Sequence, residues 1–334
     1  MAFQASETRT YDSLLSTTLA NWAAGMEDTI STANKFFYAI RRSGSYKSVD
    51  ALGERARYSL RTDQNSTANV YGGYDPIDVT PQEGITSAFY NWTQMAVSIS
   101  ISRIEERKNS GEMAMLDLLE EKTDQASDSI NELWAKATFL GNGVNSATAI
   151  TTPFTSTLTG RTWFTPLAML VSTSPTTGTV GGIPNNSTNN TGVTFWANQR
   201  RAATDTNFSS FFADLDGLRN DCSKGVGGPP DMHFVDQNTY QFYCKALRTF
   251  HHNTSYARAD IPFENVLFYG QPVMWDEYMP NSSGGTTVLS TSQGTWYMLN
   301  SKFLQIKYDS QTNFITTPFV RPENQDAKTA QILW

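Results

Sequence analysis

The segment AVSISIS, residues 96–102, alternates apolar and polar side chains without a break. This two-residue period is typical of a strand with one buried face. In the segment before it, ITSAFYNWTQM, Tyr90 and Trp92 lie on even positions, whereas Met95 lies on an odd position, like Val97 and Ile99. One extra residue near Thr93 explains the shift as a bulge or a change of face.

Residues 46–104 have the pattern of one very long hairpin. The arm GERARYSLRT leads into the polar, Gly- and Pro-rich stretch DQNSTANVYGGYDPIDVTPQEG, and ITSAFYNWTQMAVSISIS returns. A two-stranded hairpin is marginal in water, and ordering its backbone costs about 1–2 kcal/mol per residue. Because the polar tip supplies no core of its own, we expect copies of the chain to cover the hairpin in a closed symmetric assembly.

A long helix follows the charged segment RIEERK. Asn109 or Ser110 can cap it, Glu112 completes a capping box with Asn109, and Gly141 ends it. Its apolar positions recur at steps of three and four: Met115, Leu116, Leu119, Ala126, Ile130, Leu133, Trp134 and Ala137. We predict a helix of about 45 Å over residues 111–140. The stripe lapses at Lys122 and Thr123, which argues against a coiled coil.

The remaining chain divides into a helical start and a mixed end. Residues 10–40 carry a helical stripe whose polar face offers mainly Ser, Thr, Asn and acidic residues, so packing against protein is favoured over a membrane. Residues 142–206 read as loop, residues 208–218 as a helix, and residues 227–250 as turn, strand and helix. The last seventy residues alternate short strands with turns. The fold class is therefore α+β.

Composition limits the function. The 334 residues are 39% hydrophobic but only 17% charged, which is typical of a surface covered by neighbouring molecules. A net charge of −7 excludes a general nucleic-acid binder. The chain shows neither a signal peptide nor an apolar run long enough for a membrane. Cys222 and Cys244 are therefore expected to be free thiols in a reducing compartment.

The sequence offers no recognisable catalytic or metal-binding motif. The sequence holds no phosphate-binding loop, nucleophile elbow, HExxH or CxxC motif. The spacing between the cysteines and histidines does not match that of a known zinc site; they are Cys222, Cys244, His251 and His252. Two of five nearby carboxylates could in principle act as a general acid and a general base, but their places on charged faces flanking a helix explain them better. The five are Glu105, Glu106, Asp117, Glu120 and Glu121. We predict no catalytic, metal or cofactor site.

Six segments, in order along most of the chain, carry a resemblance to a known family. They are GGYDPIDVTPQEGITSAFYNWTQMAVSISISRIEERKN, TSPTTGTVGGI, PPDMHFVDQNTYQFYCKAL, FENVLFYGQPVMWDE, WYMLNSKFLQIKY and TTPFVRPENQDAKTAQILW. The chain resembles the major capsid proteins of tailed bacteriophages, which have the Hong Kong 97-like fold. What this implies is a structural protein whose pentamers and hexamers build an icosahedral shell around double-stranded DNA, without enzymatic activity.

The resemblance also implies an arrangement of parts. These are an N-terminal arm (1–45), an extended hairpin loop (46–96), a peripheral domain (97–141) with a spine helix (111–140), an axial domain (142–265) and return strands (266–334). Expected inter-subunit contacts, chosen from their positions, are Arg55, Arg57 and Arg61 on the loop and Arg321, Glu323 and Asp326 at the peripheral tip.

The expected partners follow from the same resemblance. The family pattern begins too early for the cleaved scaffolding segment of some relatives, so we expect a separate scaffolding protein. A portal protein, a decoration or cement protein and enclosed DNA are further expected partners, in a virion capsid assembled in the host bacterial cytoplasm. Two alternatives stay open: a tail-tube or head-decoration protein, and a β-rich glycan-binding module that uses the surplus of Trp and Tyr.

Overall fold

A computed structural model describes most of the chain. The described residues are 34–49, 53–81, 83–108, 112–139, 165–189, 192–202, 208–224, 227–250, 266–276, 278–279 and 294–334. Several predictions lie outside them: the helical stripe up to residue 33, the caps Asn109, Ser110 and Gly141, the pair His251 and His252, and the side chains of Glu106, Asp117 and Glu120.

The hairpin is present but shorter than predicted. Strand β2 (Ala56–Arg61) pairs antiparallel with β3 (Ile85–Tyr90), and residues 62–84 between them form the hairpin tip. The limits of 46 and 104 are wrong. Strand β1 (Tyr46–Val49) pairs in parallel with β11 (Ile306–Asp309), and β4 (Ala96–Ser102) pairs with β13 (Ala327–Leu333). Residues 91–95 interrupt the returning arm, so its change of parity marks a passage between two sheets.

A three-stranded sheet packs against the long helix. Its order is β12 (Ile315–Thr316), β13, β4, and Ile99 and Ile101 are the buried members of the predicted alternation. The predicted helix is confirmed as α3 (Glu112–Phe139). Its buried face meets the sheet in one apolar cluster: Phe37, Met95, Ile99, Ala126, Ile130, Trp134, Ala137, Phe314, Ala330 and Ile332.

A short helix that the sequence reasoning missed, α2 (Arg103–Lys108), precedes α3. Ser102 Oγ accepts from the Glu105 amide at 3.2 Å, and a Glu105 carboxylate oxygen accepts from the Ser102 amide at 3.0 Å. This is a capping box, and its sequence signal is SRIE rather than the segment at Asn109. Lys122 of α3 donates to Glu105 at 3.0 Å and to the Ser100 carbonyl at 2.8 Å, which explains why the apolar stripe lapses there.

A second, four-stranded sheet lies in the other half of the molecule. Its order is β10 (Trp296–Leu299), β7 (Met232–Val235), β9 (Gln271–Trp275), β8 (Val266–Phe268), with β7 and β9 parallel. The helices α5 (Phe208–Cys222) and α6 (Gln237–Phe250) confirm the predicted pattern. All four residues of β7 are buried because apolar clusters cover both faces of the sheet.

The first described helix joins the two halves. In α1 (Lys35–Arg42), Asn34 caps the start by accepting from the Phe37 amide at 3.1 Å. Phe37 packs on Trp134 in the cluster under the three-stranded sheet, with ring centres 5.1 Å apart. Phe36 packs on Phe139 and Phe234 in the cluster under the four-stranded sheet. The helix therefore contributes to both cores.

The Gly-rich stretch at 172–189 is more ordered than a plain loop. It follows a short helix, α4 (Leu167–Leu170), and contains a small hairpin of β5 (Thr179–Val180) and β6 (Ile183–Pro184). The turn uses Gly181 and Gly182, whose φ angles of 59° and 79° favour glycine. The Asn185 side chain is buried and donates to the Thr177 carbonyl at 3.0 Å, which closes the hairpin.

Candidate inter-subunit surfaces

The long hairpin has two different faces. In the register of β2 and β3, Tyr58 and Leu60 share the inward face with Ala88 and Tyr90, since alternate residues point to the same side. The opposite face is exposed and carries Arg57, Arg61, Ile85 and Phe89. A basic and apolar face is therefore open on one side of this hairpin.

The inward face lies over a cleft of about 340 Å³. Its walls include several aromatic side chains, among them Tyr58, Tyr90, Trp92 and Trp334. The Lys307 ammonium lies 4.2 Å from the centre of the Tyr58 ring, within the range of a cation–π contact. Burial raises the pKa of Tyr58, with a smaller effect from Tyr90, so the phenol stays neutral beside this lysine.

The turn between β5 and β6 contacts the long hairpin directly. The Phe89 amide donates to the Gly181 carbonyl at 2.9 Å. A Cβ atom on Gly181 would lie 2.9 Å from the Cβ of Ala88 and 3.1 Å from the Tyr90 ring. The absence of a side chain at residue 181 therefore allows the turn to contact β3 directly.

The hairpin tip carries large apolar side chains that contact solvent. Val70, Tyr74 and Val79 have exposed fractions of 95%, 104% and 87%, and Tyr71 and Ile77 are also exposed. We described this stretch from its sequence as polar, which overlooked these five residues. Their signal was present as apolar residues at short intervals without helical or strand period. Five exposed apolar side chains within ten residues make the tip a candidate interaction surface.

The predicted contact residues are all exposed and form two groups. Arg55, Arg57 and Arg61 lie on or beside β2, whereas Arg321, Glu323 and Asp326 lie in the turn before β13. Arg57 donates to Ser87 Oγ at 3.1 Å and stacks 5.6 Å above the Phe89 ring. Arg103 Nη1 lies 3.8 Å from Asp326 Oδ1, and the Arg103 backbone amide donates to the Asp326 carbonyl.

The carboxylates and cysteines considered in the sequence analysis lie in surroundings that point to structural roles. Hydrogen bonds from the Ser102 amide and then from Lys122 hold the pKa of Glu105 below its usual value, as a helix cap requires. Cys222 and Cys244 are not joined in a disulfide, and burial raises the pKa of Cys222. Among the described residues, no cluster of three or more metal-binding side chains occurs, and no helix is long and apolar enough to cross a membrane.

Comparison with known proteins identifies the fold. No family model matches the sequence, and no curated protein is significantly similar to it. The "Cyanophage A-1(L) capsid asymmetric unit" is similar in structure, with a TM-score of 0.52 and 15% identity over 86% of this chain and 84% of that chain. The chain has the fold of a phage capsid protein.

Two further solved structures have lower scores than the cyanophage capsid. They are "Gordonia phage Cozz" (TM-score 0.47, 15% identity, 88% of this chain and 80% of that chain) and "Satellite phage P4 procapsid including size determination (Sid) protein" (0.44, 12%, 93% and 84%). The Hong Kong 97-like fold predicted from the sequence is confirmed.

Proposed function

We propose that this chain is a major capsid protein that assembles as pentamers and hexamers into an icosahedral shell around double-stranded DNA. Fold alone does not establish function, so the proposal needs a site. The observation that carries it is the hairpin tip, where five large apolar side chains contact solvent in the single chain. Such a patch is explained when neighbouring copies cover it.

The proposed parts follow the chain order. We assign residues 1–45 to an N-terminal arm, 46–96 to an extended loop whose hairpin spans residues 56–90, 97–141 to a peripheral domain, 142–265 to an axial domain and 266–334 to return strands. The pairing of β4 with β13 supports this assignment, because it brings the last strand back to the sheet on the spine helix. Because α1 contributes to both cores, the projecting part of such an arm would end before this helix.

The proposed contacts use both charge and apolar area. Arg55, Arg57 and Arg61 would meet a neighbouring copy through the exposed face of the hairpin, with Phe89 and Ile85 adding apolar area. Arg321, Glu323 and Asp326 would meet other copies at the peripheral tip. Surface ion pairs contribute only about 0–1 kcal/mol each, so the apolar residues would supply most of the binding energy.

The proposed partners include several proteins and the genome. A separate scaffolding protein would guide assembly, a portal protein would occupy one vertex, and a decoration or cement protein could stabilise the outside. The net charge of −7 fits a shell that encloses DNA without binding it tightly. The site of action would be the virion capsid, after assembly in the cytoplasm of the host bacterium.

Electron microscopy of the expressed full-length chain tests the proposal. We expect uniform hollow spheres on negative-stain grids when the chain is produced with a scaffolding protein from the same source. Discrete monomers under both conditions, with or without that partner, would reject the shell. Stacked rings or tubes would instead favour a tail-tube protein.

A further inference from the structure

The turn between β8 and β9 has an unusual residue in a strained conformation. Phe268 pairs with Gln271, which leaves Tyr269 and Gly270 as a two-residue turn. Both have positive φ, 49° for Tyr269 and 79° for Gly270. Asn, Asp and Gly are the residues that favour such turns. A tyrosine at the first position is a backbone outlier, and outliers of this kind cluster at functional sites.

A second aromatic residue in the same conformation provides the contrast. Phe314 has a φ of 50°, but its side chain is only 3% exposed and packs beside Trp334. Its strained backbone therefore places a ring in the core. Tyr269 is 59% exposed, so core filling does not account for its conformation.

Two side chains of α5 hold the Tyr269 ring in one orientation. The Arg219 guanidinium carbon lies 4.1 Å from the ring centre. The Tyr269 hydroxyl donates a hydrogen bond to Asp216, which raises the pKa of this tyrosine. An aromatic ring that is already oriented loses little freedom when it binds a partner. Tyr and Arg are also the residues that most often dominate binding energy at protein interfaces.

We propose that Tyr269, presented by Arg219 and Asp216, is an assembly contact that binds a second copy of this chain. The proposal rests on the capsid function proposed above. β8 is the outermost strand of the four-stranded sheet in the described part of the chain, and the Tyr269 side chain at its turn is exposed, so another molecule can approach the ring. Identical copies packed in rings meet through different surfaces, and we therefore expect the turn to contact a surface other than itself.

The substitution Tyr269→Asn distinguishes a role of Tyr269 in contacts between subunits from a role in the stability of the single subunit. Asn is favoured in this turn, so the unassembled subunit should unfold within about 2 °C of the wild type. Loss of the ring should lower the yield of particles, measured by sedimentation, by about ten-fold or more. Tyr269→Phe keeps the ring and should assemble to within about two-fold of the wild type, because the Asp216 hydrogen bond only orients it.

Gly270→Asn is the matched control. It alters the same turn and keeps the Tyr269 ring. The added Cβ would meet no atom within 4 Å, and Asn is one of the residues that accept a positive φ in such turns, so assembly should be unchanged. Tyr269→Asn particles at wild-type yield would overturn the proposal, and so would a markedly lower unfolding temperature, which would make Tyr269 a structural residue. If the wild type forms no particles, the proposed function fails instead.

Photo-crosslinking identifies the occupant. Tyr269 replaced by p-benzoylphenylalanine in assembled particles should give a covalent dimer, with residue 269 joined to a different segment of a second copy. A crosslink only to a scaffolding or decoration protein would overturn the assignment to a second copy.

Discussion

At the residue scale, His233 is a buried base inside an aromatic cluster. Its ring is fully buried, its Nδ1 atom accepts from Trp296 at 3.4 Å, and Nε2 has no hydrogen-bond partner among the described residues. Burial lowers the pKa of His233 from 6.5 to about 4, with Asp231 opposing this shift and Arg219 adding to it. The folded state therefore holds a neutral imidazole that the unfolded chain would protonate first.

We therefore expect the free energy of unfolding to fall in acid. Above pH 6.5 both states are neutral at His233 and its contribution is complete; it is lost as the pH falls from 6.5 to about 4. The loss from this residue is about 3 kcal/mol at the lower limit. Chemical unfolding of the unassembled subunit across this range measures it. His233→Gln keeps an acceptor for Trp296 without titrating and should flatten this part of the profile; an unchanged slope would contradict the assignment.

Asp236 connects two distant parts of the chain. Its carboxylate accepts from the Asn238 and Thr239 amides at the start of α6 and, at 2.7 Å, from the Thr295 amide before β10. Asp236→Ala should lower the free energy of unfolding by about 3 kcal/mol, because a helix cap and a buried charge-assisted bond are lost together. Asp236→Asn can still accept and should cost less. Equal losses in the two variants would refute this account.

At the element scale, Gly181 and Gly182 distinguish backbone strain from contact with the hairpin. Both have positive φ, but a Cβ on Gly182 meets no atom within 4 Å whereas one on Gly181 meets β3. Gly181→Ala should therefore cost about 1–3 kcal/mol more than Gly182→Ala. Hydrogen exchange gives the local readout, since the Phe89 amide donates to Gly181. Equal stability and equal Phe89 protection would mean that the turn does not hold the hairpin.

At the scale of the whole molecule, the hairpin tip should matter for assembly and not for folding. Val70, Tyr74 and Val79 are almost fully exposed, so replacing all three by Ser should change the free energy of unfolding by no more than about 0.5 kcal/mol per site. The same variant should lose most of its particles in sedimentation, because the covered apolar area disappears. Gln64→Ser with Glu83→Ser is the control on the same tip. A triple variant that assembles normally would remove the tip from the interface.

Local patterns in the sequence were enough to predict most of the helices and strands. The serine alternation predicted β4, and the helical stripe predicted α3, because each side-chain period depends on neighbours a few residues away. The inter-subunit contacts expected of Arg55, Arg57 and Arg61 stay predictions, and the structure shows that all three side chains are exposed. The resemblance in six ordered segments predicted the capsid fold.

Only the tertiary structure decided which strands pair and which turns meet. The sequence alone determined that residues 96–102 form a strand; it did not determine that this strand leaves the hairpin for β13, more than two hundred residues away. Pairing over such distances depends on burial summed over the whole core, which no local period encodes. The contact of Gly181 with β3 and the exposed, strained Tyr269 likewise arise from chain segments that meet only after folding.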